Sequence, residues 1–151
     1  MGLFSRLFGK KEDRDQQFAE ASRAREEFIA HAKIDDEAAE FNIASGLMLS
    51  KRFAESIDAY RALAVKYPEQ AGVCESQVGA ALYFLDRFDD AIASYLHAIT
   101  LGVDRSMMDD NVFEACEAIA EKSGEARAFQ RYLDAFPDGQ HAKKARKQLA
   151  S

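Results

Sequence analysis

Apolar residues recur along most of this chain at helical spacing, and one stretch of the pattern occurs twice. Arg52-Phe53-Ala54-Glu55-Ser56-Ile57-Asp58-Ala59-Tyr60 returns as Arg87-Phe88-Asp89-Asp90-Ala91-Ile92-Ala93-Ser94-Tyr95, an offset of 35 residues, with Arg, Phe, Ile and Tyr identical. Small residues hold positions 56/91 and 59/94 in both copies. The offset extends upstream, where Ile43-Ala44 answers Val78-Gly79 and Leu47 answers Leu82. Repetition at a fixed period of this length marks stacked supersecondary units, none of which buries its apolar face alone. Each unit therefore holds two amphipathic helices, the first of them upstream of the repeated phrase.

The pattern predicts helices over about 37–50 and 53–66 around a turn at Lys51-Arg52, and over 72–85 and 88–101 around Asp86-Arg87. A third pair is expected over 107–121 and 125–136, split at Ser123-Gly124. Asp35-Asp36 opens the first helix, Gly102 ends the fourth, and Ser106 with Asp109 reads as a capping box for the fifth. The third pair lacks the repeated phrase, yet it closes on Phe136-Pro137 as the first closes on Tyr67-Pro68, 69 residues earlier and close to two repeat lengths. Ahead of the pairs, Phe18, Ala21, Ala24, Phe28, Ile29 and Ala32 recur at helical spacing within 12–33, a long amphipathic helix whose stripe is expected to dock on the first pair. Within it Phe18-Ala19-Glu20 precedes Phe53-Ala54-Glu55 by 35 residues, like the second helix of an eroded repeat. After Pro137, Asp138 is placed to cap a last helix reaching about Ala150, with Lys143, Lys144, Arg146 and Lys147 on its outer face. Such a polar end keeps the last stacking surface of an array out of water.

The order of these residues, apolar with small, then large apolar, aromatic, small and aromatic, resembles the tetratricopeptide repeat. The match runs over roughly 37–137, with Ser56 and Tyr60 as the small and aromatic positions of the first unit and Ala91 and Tyr95 as those of the second. It departs from the family pattern where Gly102-Val103 replaces the closing proline and where Glu40 and Glu75 stand for the leading tryptophan. The resemblance implies an all-α superhelical array of about three helix-turn-helix pairs, with repeats at about 37–71, 72–105 and 106–137, an N-terminal helix and a capping helix over 138–151. All of 12–151 then forms one domain.

Composition agrees with an all-helical chain: 151 residues, 48% apolar, with only two prolines and eight glycines to interrupt helices. The net charge of −6 speaks against nucleic acid as a partner, because a phosphate backbone demands a basic face. The run on the last helix therefore reads as a solvated cap. Cys74 and Cys116 are too far apart in sequence for a disulfide framework and have no metal-ligand spacing, which fits buried thiols in a cytoplasmic protein. His31, His97 and His141 fall in three different elements, and the glycines form no phosphate-binding loop. Asp109-Asp110-Asn111 lacks the glycine and glutamate of a calcium loop and reads as an acidic helix start. No metal, cofactor or catalytic group is expected, and Cys116 reads as core rather than nucleophile.

What remains is a surface. In tetratricopeptide arrays the first helices of the pairs line a concave groove, which the resemblance places here at Ala38, Phe41, Ser45, Met48 and Leu49, then Val73, Ser76, Ala80, Tyr83 and Phe84, then Met107, Asp110, Glu114, Glu117 and Ala118. The groove is expected to be apolar and aromatic at one end and acidic at the other. Family members that grip a chaperone's terminal carboxylate use Lys, Arg and Asn where this chain has Phe41, Ser45, Ser76 and Ala80, so that ligand is not expected. A protein or peptide segment with an apolar anchor beside Lys or Arg fits better. For Phe41, Leu49 and Phe84 a plain core role stays open. The implied function is a protein-binding adaptor; a self-associating assembly subunit, at the inner membrane surface or elsewhere, is the alternative.

Residues 1–11 differ from the rest. Leu3, Phe4, Leu7 and Phe8 fall on one stripe of a short helix, with Arg6, Lys10 and Lys11 off it. The segment resembles the N-terminal leader of several bacterial membrane-associated proteins, among them the signal-recognition-particle receptor. Two readings stay open, a disordered tail and a peripheral contact with anionic lipid on the cytoplasmic membrane face. Partial burial of four apolar side chains barely offsets the ordering of a short helix, so the three cations must add about 1 kcal/mol each. Under the second reading, flotation should recover the full chain with anionic vesicles at low salt, and much less with neutral vesicles or after deletion of residues 2–11. Equal recovery with and without the leader refutes the anchor.

Overall fold

The structure, a computed structural model, describes the backbone of residues 11–32 and 36–151 and the side chains of 15–27 and 36–151. Every regular element among them is a helix: α1 (Lys11–Ala32), α2 (Asp36–Leu49), α3 (Phe53–Lys66), a 3-10 turn (Pro68–Gln70), α4 (Ala71–Phe84), α5 (Phe88–Thr100), α6 (Arg105–Ser123), α7 (Ala128–Ala135) and α8 (Ala142–Leu149). The chain divides into two compact units, Met1–Ala59 and Tyr60–Ser151. Within the first, α1 packs on α2; within the second, α4 to α8 each pack on the next, and α4 also reaches α6. The fold is an all-α array built from neighbouring helices.

The repeated phrase is repeated in the backbone. Lys51 and Asp86, 35 residues apart, both adopt the left-handed conformation, with φ of 59° and 61°. After each, the arginine N–H reaches back across the helix end, Arg52 to the Leu47 carbonyl and Arg87 to the Leu82 carbonyl, both at 2.9 Å. The Lys51 and Asp86 N–H groups donate to Met48 and Tyr83, both at 3.0 Å. This doubly bonded helix end satisfies carbonyls that would otherwise be orphaned, which offsets the strain of a side chain at positive φ. The same arginines then pair with the first turn of the next helix, Arg52 with Glu55 and Arg87 with Asp90.

The two prolines also act alike. Tyr67 and Phe136 precede them with φ,ψ of −125°, 79° and −130°, 65°, non-helical as the proline ring requires. Each donates its N–H at 2.7 Å to the carbonyl four residues back, Leu63 or Tyr132. Counting back from the prolines makes Phe129 the counterpart of Tyr60, and both are buried. The aromatic position of the degenerate third pair is thus Phe129, which the sequence pattern did not single out.

The helix starts in the C-terminal part differ from those expected. Helix α6 is longer than forecast, beginning at Arg105 under an Asp104 cap whose carboxylate accepts from the Ser106 N–H at 2.8 Å and hydroxyl at 2.6 Å. Asp109 therefore forms no capping box and is not an acidic helix start: it lies a turn inside, buried, and accepts from the Tyr132 hydroxyl at 2.5 Å and the Gln140 N–H at 3.0 Å. Helix α7 starts three residues later than expected, at Ala128, because residues 124–130 first turn through three-residue hydrogen bonds such as Ala128 N–H to Glu125 O at 3.1 Å. The last helix likewise starts at Ala142 after His141, so Asp138 does not cap it.

In the first unit α1 meets α2 through Phe18, whose ring lies over Gly46 and beneath the Arg52 guanidinium, 5.1 Å from its centroid. The less exposed face of α1 is Asp15, Phe18, Ala19, Ser22 and Arg25; Ala21 and Ala24, expected on the covered stripe, are exposed. Steps of three drift around a helix, whereas alternating steps of three and four stay on one side. The side chains of Phe28, Ile29 and Ala32, and residues 1–10 of the expected leader, lie outside the described residues.

Candidate partner-binding groove

Helix α4 buries Gly72, Cys74, Val78, Gly79, Ala81 and Leu82, which leaves Val73, Ser76, Ala80, Tyr83 and Phe84 together on the other side. These are the five groove positions expected on this helix. Val73 and Phe84 are exposed, Phe84 by 60%, and neither is core. Ser76 turns its hydroxyl onto the Val73 carbonyl at 2.8 Å, so its polarity is spent within the helix. Tyr83 is half-buried with its ring edge-on to Phe84 and Phe88, at centroid distances of 5.9 and 5.2 Å. The ring is held by two aromatic neighbours while part of the side chain stays exposed, which suits an anchor at the edge of a groove.

Helix α6 runs beside α4 and buries Met108, Asp109, Val112, Phe113, Ala115 and Cys116. Met107, Asp110 and Glu114 are exposed, and Glu117 and Ala118 half-buried. The ends of the two helices are tied by Lys122, whose ammonium lies 2.7 Å from Asp86 and 5.1 Å from the centroid of the Phe88 ring. Because Phe88 also touches Tyr83, the acidic side of α6 is brought to the aromatic end of α4. Burial raises the Tyr83 phenol pKa above its usual value, and the nearby charges of Glu114, Glu121, Glu117 and Asp86 raise it further by disfavouring a second anion.

Glu121 lies beyond the groove positions that the family resemblance implies, which end at Ala118. It stands four residues beyond Glu117 and seven beyond Glu114, hence on the same stripe. Glu117 and Glu121 also rim a pocket of about 220 Å³ with Ala120, Phe129 and Gln148.

The acidic wall is not wholly open. His141 Nε2 lies 2.6 Å from Asp110, with its ring stacked 4.3 Å from Phe113, and Lys144 pairs with Glu117 while its ammonium sits over Phe113. Two of the three expected acidic residues thus meet side chains of the capping segment, twenty-seven or more residues away in sequence. Glu114 and Glu121 have no ion-pair partner among the described residues.

The α2 positions belong to the first unit. Phe41, Ser45 and Met48 are half-buried, with Met48 Sδ 4.0 Å from the Ser56 hydroxyl at the start of α3. Leu49 is 80% exposed and is not core.

Other chemistry is sparse. Cys74 and Cys116 are buried free thiols, and burial pushes the Cys116 thiol up to about 11, where it holds its proton at neutral pH. Among the described residues no His, Cys, Asp and Glu cluster is arranged to hold a metal, and no helix is long and apolar enough to cross a membrane. A larger pocket of about 560 Å³ between Arg105, Ser106, Phe136 and Gly139 has Asp109 in its wall, but that carboxylate is already engaged by Tyr132 and Gln140. No family model matches the chain, and no curated protein matches it.

Proposed function

We propose that this chain is a protein-binding adaptor of the tetratricopeptide kind, which holds a partner segment against the faces of α4 and α6 rather than acting as an enzyme. The observation that carries the reading is the pairing of an apolar and aromatic stripe on α4, exposed at Val73 and Phe84, with a row of carboxylates on α6. Exposed apolar surface rimmed by polar residues is a mark of protein-contact sites. The adaptor is expected in the cytoplasm, with residues 1–11 supplying any weak contact with an anionic membrane.

The test is capture of a partner by a groove variant. Glu117 is a poor choice for charge reversal, because a lysine there would meet Lys144 and repel the capping helix. Tyr83→Ala with Glu114→Lys and Glu121→Lys removes the anchor and inverts the open charges. Its circular dichroism should match the parent chain while capture is abolished. Undiminished capture would move the binding function to another face. Self-association is separated by sedimentation over a concentration series: an oligomer that the same three substitutions dissolve identifies the partner as a second copy.

A further inference from the structure

We propose, building on the adaptor reading, that the groove takes an amphipathic helix whose apolar edge lies along α4 and whose lysine or arginine flank faces the carboxylates of α6, with Lys144 the chain's own competitor for Glu117. Val73, Ala80 and Tyr83 follow one another at intervals of seven and three, a stripe about 15 Å long that matches three turns of a partner helix. Across from it, Glu114, Glu117 and Glu121 stand at intervals of three and four, the spacing at which a second helix presents consecutive side chains of one flank. The charged groups around this strip are Asp110 with His141, Glu117 with Lys144, and Asp86 with Lys122, which leaves Glu114 and Glu121 as the carboxylates a cation meets first. An acidic partner would face this wall at a cost, so sign as well as apolarity selects the occupant.

Lys144 shows the recognition already at work within the chain. Its ammonium rests on the Glu117 carboxylate and 4.9 Å from the Phe113 ring centroid, a cation held by an acid and an aromatic face together. The pair is solvent-accessible, with 54% of the lysine and 33% of the glutamate side chain exposed, so it is weak enough to be displaced. A bound lysine or arginine takes its place, and removal of Lys144 therefore strengthens binding instead of weakening it.

The experiment uses the full chain and two fluorescent synthetic helices of about four turns. Both carry leucine and phenylalanine along one stripe, one with a lysine flank and the other with glutamate in the same places. In fluorescence anisotropy the lysine helix should saturate, bind about threefold to tenfold more weakly to Glu114→Gln with Glu121→Gln, and weaken as salt is added. Lys144→Met keeps the apolar stem over Phe113 and should tighten the same helix about twofold to fivefold. The glutamate helix should not bind. Equal binding of both helices overturns the proposal, as does failure of the lysine helix to bind, or an unchanged or weaker affinity for Lys144→Met in a protein whose circular dichroism is unaltered. If no helix binds while the Tyr83, Glu114 and Glu121 variant still loses its cellular partner, this inference fails and the adaptor stands. If that variant keeps its partner, the adaptor reading itself fails.

Discussion

Tyr95→Ala should cost roughly 3 kcal/mol or more of folding stability, the loss expected when a large buried ring leaves a cavity its surroundings cannot fill. Tyr95 is only 3% exposed and lies against the backbone of α4 at Gly79, where a Cβ would stand 2.6 Å from ring carbon Cε1 and 2.7 Å from Cδ1. The glycine is what lets α4 and α5 approach with a tyrosine between them. Gly79→Ala should accordingly cost about 1 to 3 kcal/mol, since the clash is with a ring rather than the tip of a flexible chain. Burial also raises the Tyr95 phenol pKa, which marks a ring enclosed in the core. Because the two positions share one space, Gly79→Ala combined with Tyr95→Leu should cost less than the sum of the single changes. Denaturant unfolding of the parent, these three variants and Tyr95→Ala measures this; strict additivity, or a loss below about 1 kcal/mol for Tyr95→Ala, would sink the packing argument. Tyr60 is buried at the equivalent position and should behave as Tyr95 does, while the exposed Asp58 should tolerate alanine.

Asp109→Ala should cost about 3 kcal/mol and loosen the C-terminal end of the molecule first. One carboxylate, 4% exposed, here joins three helices: it receives the Tyr132 hydroxyl of α7 and the Gln140 N–H just before α8. Tyr132 in turn accepts the His141 N–H at 3.0 Å. Alanine leaves the buried Tyr132 hydroxyl without its acceptor, at about 1 to 3 kcal/mol, and frees the part-buried Gln140 N–H as well. Asn at this position should cost less, because its carbonyl serves one donor while its NH₂ opposes the other. Gly139→Ala should disturb the same junction, since a Cβ would press on the Tyr132 hydroxyl and lie 2.6 Å from Asp109 Oδ2. Hydrogen exchange should show Ala142–Leu149 losing protection before α4 and α5; uniform loss, or wild-type melting of Asp109→Ala, would refute the junction's role.

The same junction predicts an alkaline limit. Burial, with the Asp109 hydrogen bond and charge, pushes the Tyr132 phenol up to about 12. A phenol whose folded pKa exceeds its unfolded value of about 10 stabilises the fold fully below pH 10, and that contribution disappears as the pH rises toward 12. Tyrosinate absorbance followed against pH should show this group ionising with unfolding. Asp109→Ala should remove part of that delay.

The pairing of helices was legible because its signals are local and periodic. Arg52 and Arg87 mark turns with the same hydrogen bonds, the two prolines close helices through the same backbone angles, and the buried tyrosines sit where the repeated phrase places them. The positions from Val73 to Phe84 came from the register that the family resemblance implies, and they share one face because a helix that buries one side must present the other. The third pair was legible only in part: Asp109 and Ser106 satisfy a capping pattern by type and interval, yet Asp104 occupies the cap, ahead of Ser106.

The sequence by itself determined the all-helical class and the two turns at Lys51 and Asp86, because each depends on residues within a few turns of one another. Only the tertiary structure decided what the acidic side chains of α6 do. Asp109 is claimed by a tyrosine 23 residues away, Asp110 by a histidine 31 away and Glu117 by a lysine 27 away, while Glu114 and Glu121 stay accessible. These five carboxylates are interchangeable in a pattern of polar and apolar letters. Their roles are set by which of them α7 and the capping segment reach through space, and no periodicity along the chain encodes that distance.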